Sequence, residues 1–209
     1  MAVAKSPFYV VENFLSIKLC EQFVDAYGFD TYPDVNKDGK PLKMIKHSEE
    51  IQEIIHQRVL QLVPNLEKYY GDFIYLGTEP IMLEYYVPGV VPEPVCENSH
   101  WIRKKWVRTR DRDLSGVVFL SDYQDKVPFD KEYEVYGGKL EFLQHKFSFN
   151  PQRGTLVIYP SGPHFINAIS EIRAGELYLI KIHMGGKLPF IYQPANFPGD
   201  YRSWFAGIL

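Results

Sequence analysis

Gly154-Thr-Leu-Val-Ile-Tyr-Pro-Ser-Gly-Pro-His164-Phe-Ile-Asn-Ala168 is the stretch on which the fold turns. The apolar, β-branched run from Thr155 to Tyr159 reads as a strand, and Pro160, Gly162 and Pro163 end it in a turn. A second strand-like run, His164 to Ile169, follows at once. A single histidine is thereby delivered to the rim of a sheet, where many iron enzymes place a metal ligand. Two similar units flank this one: Tyr136-Gly-Gly-Lys-Leu-Glu-Phe142 upstream and Gly175-Glu-Leu-Tyr-Leu-Ile-Lys-Ile-His183 downstream.

Working outward, the chain divides into helices first and strands afterwards. Phe8 to Phe14 is strand-like; Ile17 to Tyr27 reads as a helix capped by Ser16 and stopped at Gly28. Ser48 caps a longer helix in which Ile51, Ile54, Ile55, Val59 and Leu62 form one apolar stripe, and Pro64 predicts its end. From Asp72 onward short strands are expected at Phe73–Leu76, Ile81–Tyr86, Leu114–Ser121, Lys139–Gln144, Thr155–Tyr159, His164–Ile169 and Leu177–His183. This order implies an α+β protein with a sandwich or barrel core. A single domain is expected, with residues 1–70 as mainly helical support, 71–184 as the β core and 185–209 as an aromatic wrap.

Composition narrows the function classes. The 209 residues are 45% hydrophobic and 15% aromatic, enough for one sizeable core. A formal charge of −3 gives no global electrostatic case for nucleic acid, although a local basic groove is compatible with it. Two cysteines, Cys20 and Cys96, make neither a disulfide framework nor a zinc spacing. No run is long and apolar enough to span a bilayer, so the sequence reads as a soluble cytoplasmic protein. Asp34-Val-Asn36-Lys-Asp38-Gly39 opens like a calcium-binding EF-hand loop, but its twelfth position is Ile45 where a bidentate glutamate is required; it is read as a polar turn.

The three turn-and-strand units, with Gly137-Gly138-Lys-Leu-Glu-Phe142, Arg153 to Ser161 and His164 as the strongest local matches, resemble the C-terminal half of the double-stranded β-helix in Fe(II)/2-oxoglutarate-dependent dioxygenases, in the prolyl 4-hydroxylase-like branch. The resemblance spans residues 8 to 184 as an order of elements. Arg110 to Tyr123 is also similar to oxygenases encoded by tailed phages of marine bacteria, which would place the protein in a host cytoplasm. The fold implied is a jelly-roll, cupin-like core with N-terminal supporting helices.

The resemblance implies an iron held by two histidines and a carboxylate, arranged as Tyr-x-x-Gly, then His-x-Asp, then a distal histidine. Here Tyr86-Val-Pro-Gly89 is followed by Val95-Cys96-Glu97, so an alkyl side chain stands at the first histidine position and glutamate replaces aspartate. His164 matches the distal histidine. Three ligand sets stay open: Glu97 and His100 with His164, if 96–100 form a turn; Cys96 as a thiolate ligand; or Glu97 and His164 alone. His47 and His56 read as solvent-facing, and His145 has no evident ligand partner.

The resemblance further implies a basic residue at Gly-x-Arg/Lys to hold the distal carboxylate of 2-oxoglutarate, with ascorbate as an accompanying reductant. The matching position is Leu177. Strand parity offers Lys181, on the same face as Leu177, Leu179 and His183; Arg173 is the rival, and Tyr86 and Tyr159 could add phenolic hydrogen bonds. The run Arg103 to Asp113 holds six basic residues and Trp106, either a grip for an acidic peptide or phosphate backbone or a solvated hairpin. Three functions follow as expectations: a dioxygenase hydroxylating a C–H bond in a peptidyl prolyl residue, a degenerate oxygenase fold that recognises a partner without iron, and an oxygenase acting on a nucleobase or small molecule.

Overall fold

A computed structural model describes residues 6–28, 44–46, 49–71, 73–89, 91–130 and 132–187. The acidic turn at 34–39, His47, the Ser48 cap and the aromatic segment from 188 onward lie outside the described residues. The elements run β1 (Tyr9–Val11), α1 (Ile17–Gly28), β2 (Met44–Lys46), α2 (Glu49–Tyr69), β3 (Ile74–Thr78), β4 (Met82–Tyr86), β5 (Ser99–Ile102) and β6 (Lys105–Arg108). They continue as β7 (Leu114–Phe119), β8 (Asp122–Gln124), β9 (Glu134–Gly137), β10 (Leu140–Phe142), β11 (Phe147–Phe149), β12 (Leu156–Pro160), β13 (Asn167–Ile169), β14 (Ile172–Gly175) and β15 (Leu177–Lys187).

The helices form for local reasons and are fixed by tertiary ones. Ser16 Oγ accepts the Leu19 amide at 3.3 Å, the N-cap of α1. In α2, Ile51, Ile55, Val59 and Leu66 share one buried stripe, with Glu49 and Glu50 in the first turn and Lys68 in the last, matched to the helix dipole. The helix does not end before Pro64 as the sequence predicts but runs on to Tyr69. Proline forfeits one backbone bond, and the fully buried Leu66 and Tyr70 beyond it keep the last turns docked.

A seven-stranded sheet in the order β1-β12-β7-β15-β4-β2, with β3 also on β15, forms the centre. Its strands are antiparallel throughout. Because side chains alternate along a strand, each face carries its own core. Leu156, Ile158, Val118, Ile180, Ile182 and Met184 pack with the helices. Val157, Tyr159, Val117, Phe119, Leu177 and Leu179 pack on the other side, against residues of β9, β10, β13 and β14 from two three-stranded sheets. The result is a layered α+β architecture of helices, large sheet and small sheets. Gly154 fits the turn before β12 with φ +80°, and a Cβ there would collide with the Leu15 carbonyl, which locks α1 against the sheet. Among the described residues no helix is long and apolar enough to cross a membrane.

One strand boundary changes, and one of two open readings is met. The strand expected from His164 to Ile169 begins instead as a 3-10 turn, Pro163–Phe165, because Pro163 cannot donate to a ladder; β13 starts only at Asn167. The basic run around Trp106 is a hairpin, β5–β6, joined through Arg103 and Lys104.

Candidate functional site

The sheet's inner face is apolar at one end and polar at the other. Register sets this: Tyr159 opposes Ser115, which opposes His183, in a row across β12, β7 and β15. One row further in, Val157, Val117 and Lys181 align, and beyond them Phe119, Leu179 and Glu84. Over the polar end lie the bend at Glu97–Asn98, Arg112 just before β7, Ser161 just after β12, and Asn167 of β13. All four segments are buried here.

Glu97 is the hub. Its Oε1 accepts a bond from Lys181 Nζ at 2.9 Å and lies 3.4 Å from the Asn167 amide. Its Oε2 is 3.5 Å from Arg112 Nη1 and 3.8 Å from His183 Nε2. Burial by itself would raise the Glu97 carboxyl, but the Lys181 ammonium and the other cations outweigh it and hold the group at about 2. Lys181 answers in kind: burial works to lower it, and Glu97 and then Glu84 overcome this and raise it. Arg112 continues the network outward through a fork of bonds to Glu79.

A second chain of bonds begins at His183. Its Nδ1 is 3.0 Å from Ser115 Oγ, which is 2.7 Å from Ser161 Oγ. Burial lowers the imidazole to about 4, so it is neutral at physiological pH, and its Nε2 has no hydrogen-bond partner among the described residues. The buried Tyr159 hydroxyl likewise lacks one, and the Tyr86 hydroxyl donates to Glu84 Oε2 at 2.6 Å. Burial first, then the nearby carboxylates, raises both phenols. The interior is a charge-compensated cluster that strongly disfavours a further net charge.

The residues singled out from the sequence fall into two groups. Glu97, Lys181, Tyr86 and Tyr159 all belong to this interior. His100 does not: after the bend at Glu97–Asn98 the chain enters β5, and His100 is exposed with Nδ1 2.6 Å from Thr109 Oγ1. His164 sits half-buried in the 3-10 turn, where its carbonyl accepts a bond from His145 Nε2 at 2.7 Å. His145 is buried, with its ring stacked on Phe165. Cys96 is partly buried and its thiol is raised, first by burial, so it is not a thiolate. Arg173 is exposed, beside Glu171 and Tyr136. Val95, at the first histidine position, pairs its backbone with Asn167, and Leu177, at the expected basic position, is fully buried core.

Sequence reasoning missed Arg112, His183, Ser115, Ser161 and Asn167. His183 had a signal, since it shares the strand face that selects Lys181. Arg112 had none, lying in the run Arg103 to Asp113 where eight of eleven residues are charged.

An iron of the facial-triad type requires three donors with free lone pairs converging on one point. Among the described residues no group of three or more His, Cys, Asp and Glu side chains is placed to hold a metal ion. The carboxylate best positioned for the task, Glu97, is instead paired with Lys181 and Arg112. The described residues do not fit the metal.

No protein-family model and no curated protein sequence matches the chain. Solved structures do. The chain superposes on the viral collagen prolyl hydroxylase of Paramecium bursaria Chlorella virus-1, solved with 2-oxoglutarate, with a TM-score of 0.63 at 13% identity, covering 90% of this chain and 99% of that one. A Trichoplax adhaerens prolyl hydroxylase, in complex with a hypoxia-inducible-factor peptide fragment, gives 0.59 at 16% identity, covering 86% and 83%. A Pseudomonas putida prolyl-4-hydroxylase gives 0.58 at 18% identity, covering 88% and 95%. Likeness of this extent at such low identity is a statement about architecture: the chain has the fold of the prolyl 4-hydroxylase-like 2-oxoglutarate oxygenases.

Proposed function

We infer that this protein is a metal-independent member of the prolyl hydroxylase fold whose work is recognition. The carrying observation is the buried bond from Lys181 Nζ to Glu97 Oε1, 2.9 Å long. It puts a permanent side-chain cation on the one interior carboxylate that matches the oxygenase pattern, so the fold needs no divalent ion there to neutralise it. Val95 and Leu177 support the same reading, since neither can serve a metal or a dicarboxylate. The two facing sets of sheets are then a double-stranded β-helix, taken as one domain, kept for its shape. A peptide or protein segment is the partner class supported by the Trichoplax relative, which was solved with a peptide.

A second reading is favoured by the relatives themselves, all prolyl hydroxylases: a 2-oxoglutarate oxygenase that hydroxylates a peptidyl prolyl residue. It requires Glu97 to leave Lys181 and two further ligands to join it. Anaerobic calorimetric titration of the metal-free protein with Fe(II), with and without 2-oxoglutarate, decides. The recognition reading predicts no one-to-one heat in either titration. Stoichiometric binding strengthened by 2-oxoglutarate would overturn it and establish the oxygenase.

A further inference from the structure

The β5–β6 hairpin pairs with no other strand of the described structure and stands out from the large sheet. Its base is fastened: Arg108 forks onto Asp113 with two 2.9 Å bonds, the Asn98 side chain donates to the Arg112 carbonyl at 3.0 Å, and the Thr109 and Arg110 amides bond the Asn98 carbonyl. What it presents outward is unusual. Trp101 and Trp106 face each other across the strands, ring centroids 5.4 Å apart and inclined at 69°, yet they are 61% and 38% exposed. Among the described residues the two indoles make a ring contact only with each other, and their water-facing sides form an apolar surface open to a partner.

Four of the six cations around them make no ion pair among the described residues. Arg108 is answered by Asp111 and Asp113, and Arg112 by Glu79 and Glu97. Arg103, Lys104, Lys105 and Arg110, all exposed, have no ion-pair partner among the described residues. Arg103 and Lys104 moreover occupy the two turn positions with φ of 48° and 64°. Such a turn is ordinarily filled by Asn-Gly, and a residue with a long side chain is disfavoured there. Two cations are held at the tip against local preference, which marks the tip for use.

We propose that this hairpin binds single-stranded nucleic acid, with bases stacking on Trp101 and Trp106 and phosphates held by Arg103, Lys104, Lys105 and Arg110. Each nucleotide unit carries one phosphate and one flat ring, and the hairpin offers cations interleaved with indoles in the same short span. An acidic peptide would answer the charge but would have to supply rings by composition. The site stands on the hairpin alone and does not depend on how the interior is read.

The test uses the full-length chain and a fluorescein-labelled oligothymidylate of about twelve nucleotides, a length that covers one compact stacking site. Fluorescence anisotropy and indole quenching are followed together. If all four cations meet phosphates, raising salt from about 50 to about 200 mM weakens binding roughly 50-fold, from a single-strand slope of about 0.7 per phosphate. Trp101→Ala should weaken binding at least about fivefold, the low end of base stacking. The Arg103→Glu/Lys104→Glu pair should abolish it, while both exposed-site variants keep the wild-type melting temperature. The proposal is overturned by no binding at low salt, by binding that these variants leave unchanged, or by polyglutamate of equal charge displacing the oligonucleotide as well as unlabelled oligothymidylate does. The last result would assign the hairpin to an acidic peptide.

Discussion

Lys181 Nζ and Glu97 Oε1 lie 2.9 Å apart although the two residues are 84 positions apart in sequence, and both side chains are buried in the mouth of the sheet sandwich. Removing one member strands the other charge in a low-dielectric interior. Lys181→Met should therefore cost about 3–5 kcal/mol, as breaking a buried pair from one side does. Replacing both, Lys181→Met with Glu97→Gln, should recover much of that loss, since no net charge is then left behind. Urea denaturation of the two single variants and the double variant gives the coupling energy directly. A double variant as unstable as the sum of the singles would deny the pair its charge-compensating role.

The same cluster makes the fold acid-labile in two steps. His183 is lowered to about 4 in the folded protein against 6.5 unfolded, so the unfolded chain takes up the proton first and stability falls as pH drops from 6.5 towards 4. Glu97 is held at about 2 against 4.5, so its contribution is complete above 4.5 and is lost as pH falls towards 2. Urea midpoints measured across this range should decline continuously below 6.5. His183→Gln should flatten the upper part of the decline and leave the lower part, and a wild-type profile that is level between 6.5 and 4 would rule out the buried neutral imidazole.

Arg112 is a positioning residue for Glu97, and its geometry is one that lysine cannot copy. Its Nε donates to both Glu79 oxygens at 2.8 and 2.9 Å while its Nη1 faces the Glu97 carbonyl and carboxylate. An ammonium can meet one of these carboxylates but not bridge both. Arg112→Lys should destabilise by about 1.5–3 kcal/mol, the range for hydrogen bonds to charged groups. Adding Glu79→Gln should cost the lysine variant less than it costs the wild type. Equal costs would mean that the fork has no energetic weight.

The parts of this molecule that were legible in its sequence are those governed by short-range periodicity. The apolar run Leu156 to Tyr159 lies in an inner strand of the large sheet, and parity along Leu177 to His183 places Lys181 on the interior face. The continuation of α2 through Pro64 was not legible, because it rests on Leu66 and Tyr70 finding the core. Nor was the network around Glu97: its partners come from 15, 70 and 84 residues away, and nothing local distinguishes Arg112 from the solvated arginines beside it. His164 was conspicuous by its turn, yet the proline before it diverts the chain into a 3-10 turn.

Tyr70, just after α2, ties the helix to the segment before β1 and to β12. Its buried hydroxyl lies 2.9 Å from the Pro7 carbonyl and 3.0 Å from that of Ile158, one donor shared between two acceptors. Tyr69 beside it makes a similar bridge, 2.9 Å to the Ser6 and Phe8 carbonyls, but in a partly exposed setting where water can replace it. Tyr70→Phe leaves buried carbonyls without that donor and should cost about 1–3 kcal/mol, whereas Tyr69→Phe should cost less. Thermal melts of the two variants rank them. If Tyr69→Phe proved the more damaging, the continuation of α2 past Pro64 would owe its stability to the surface bridge and not to the buried one.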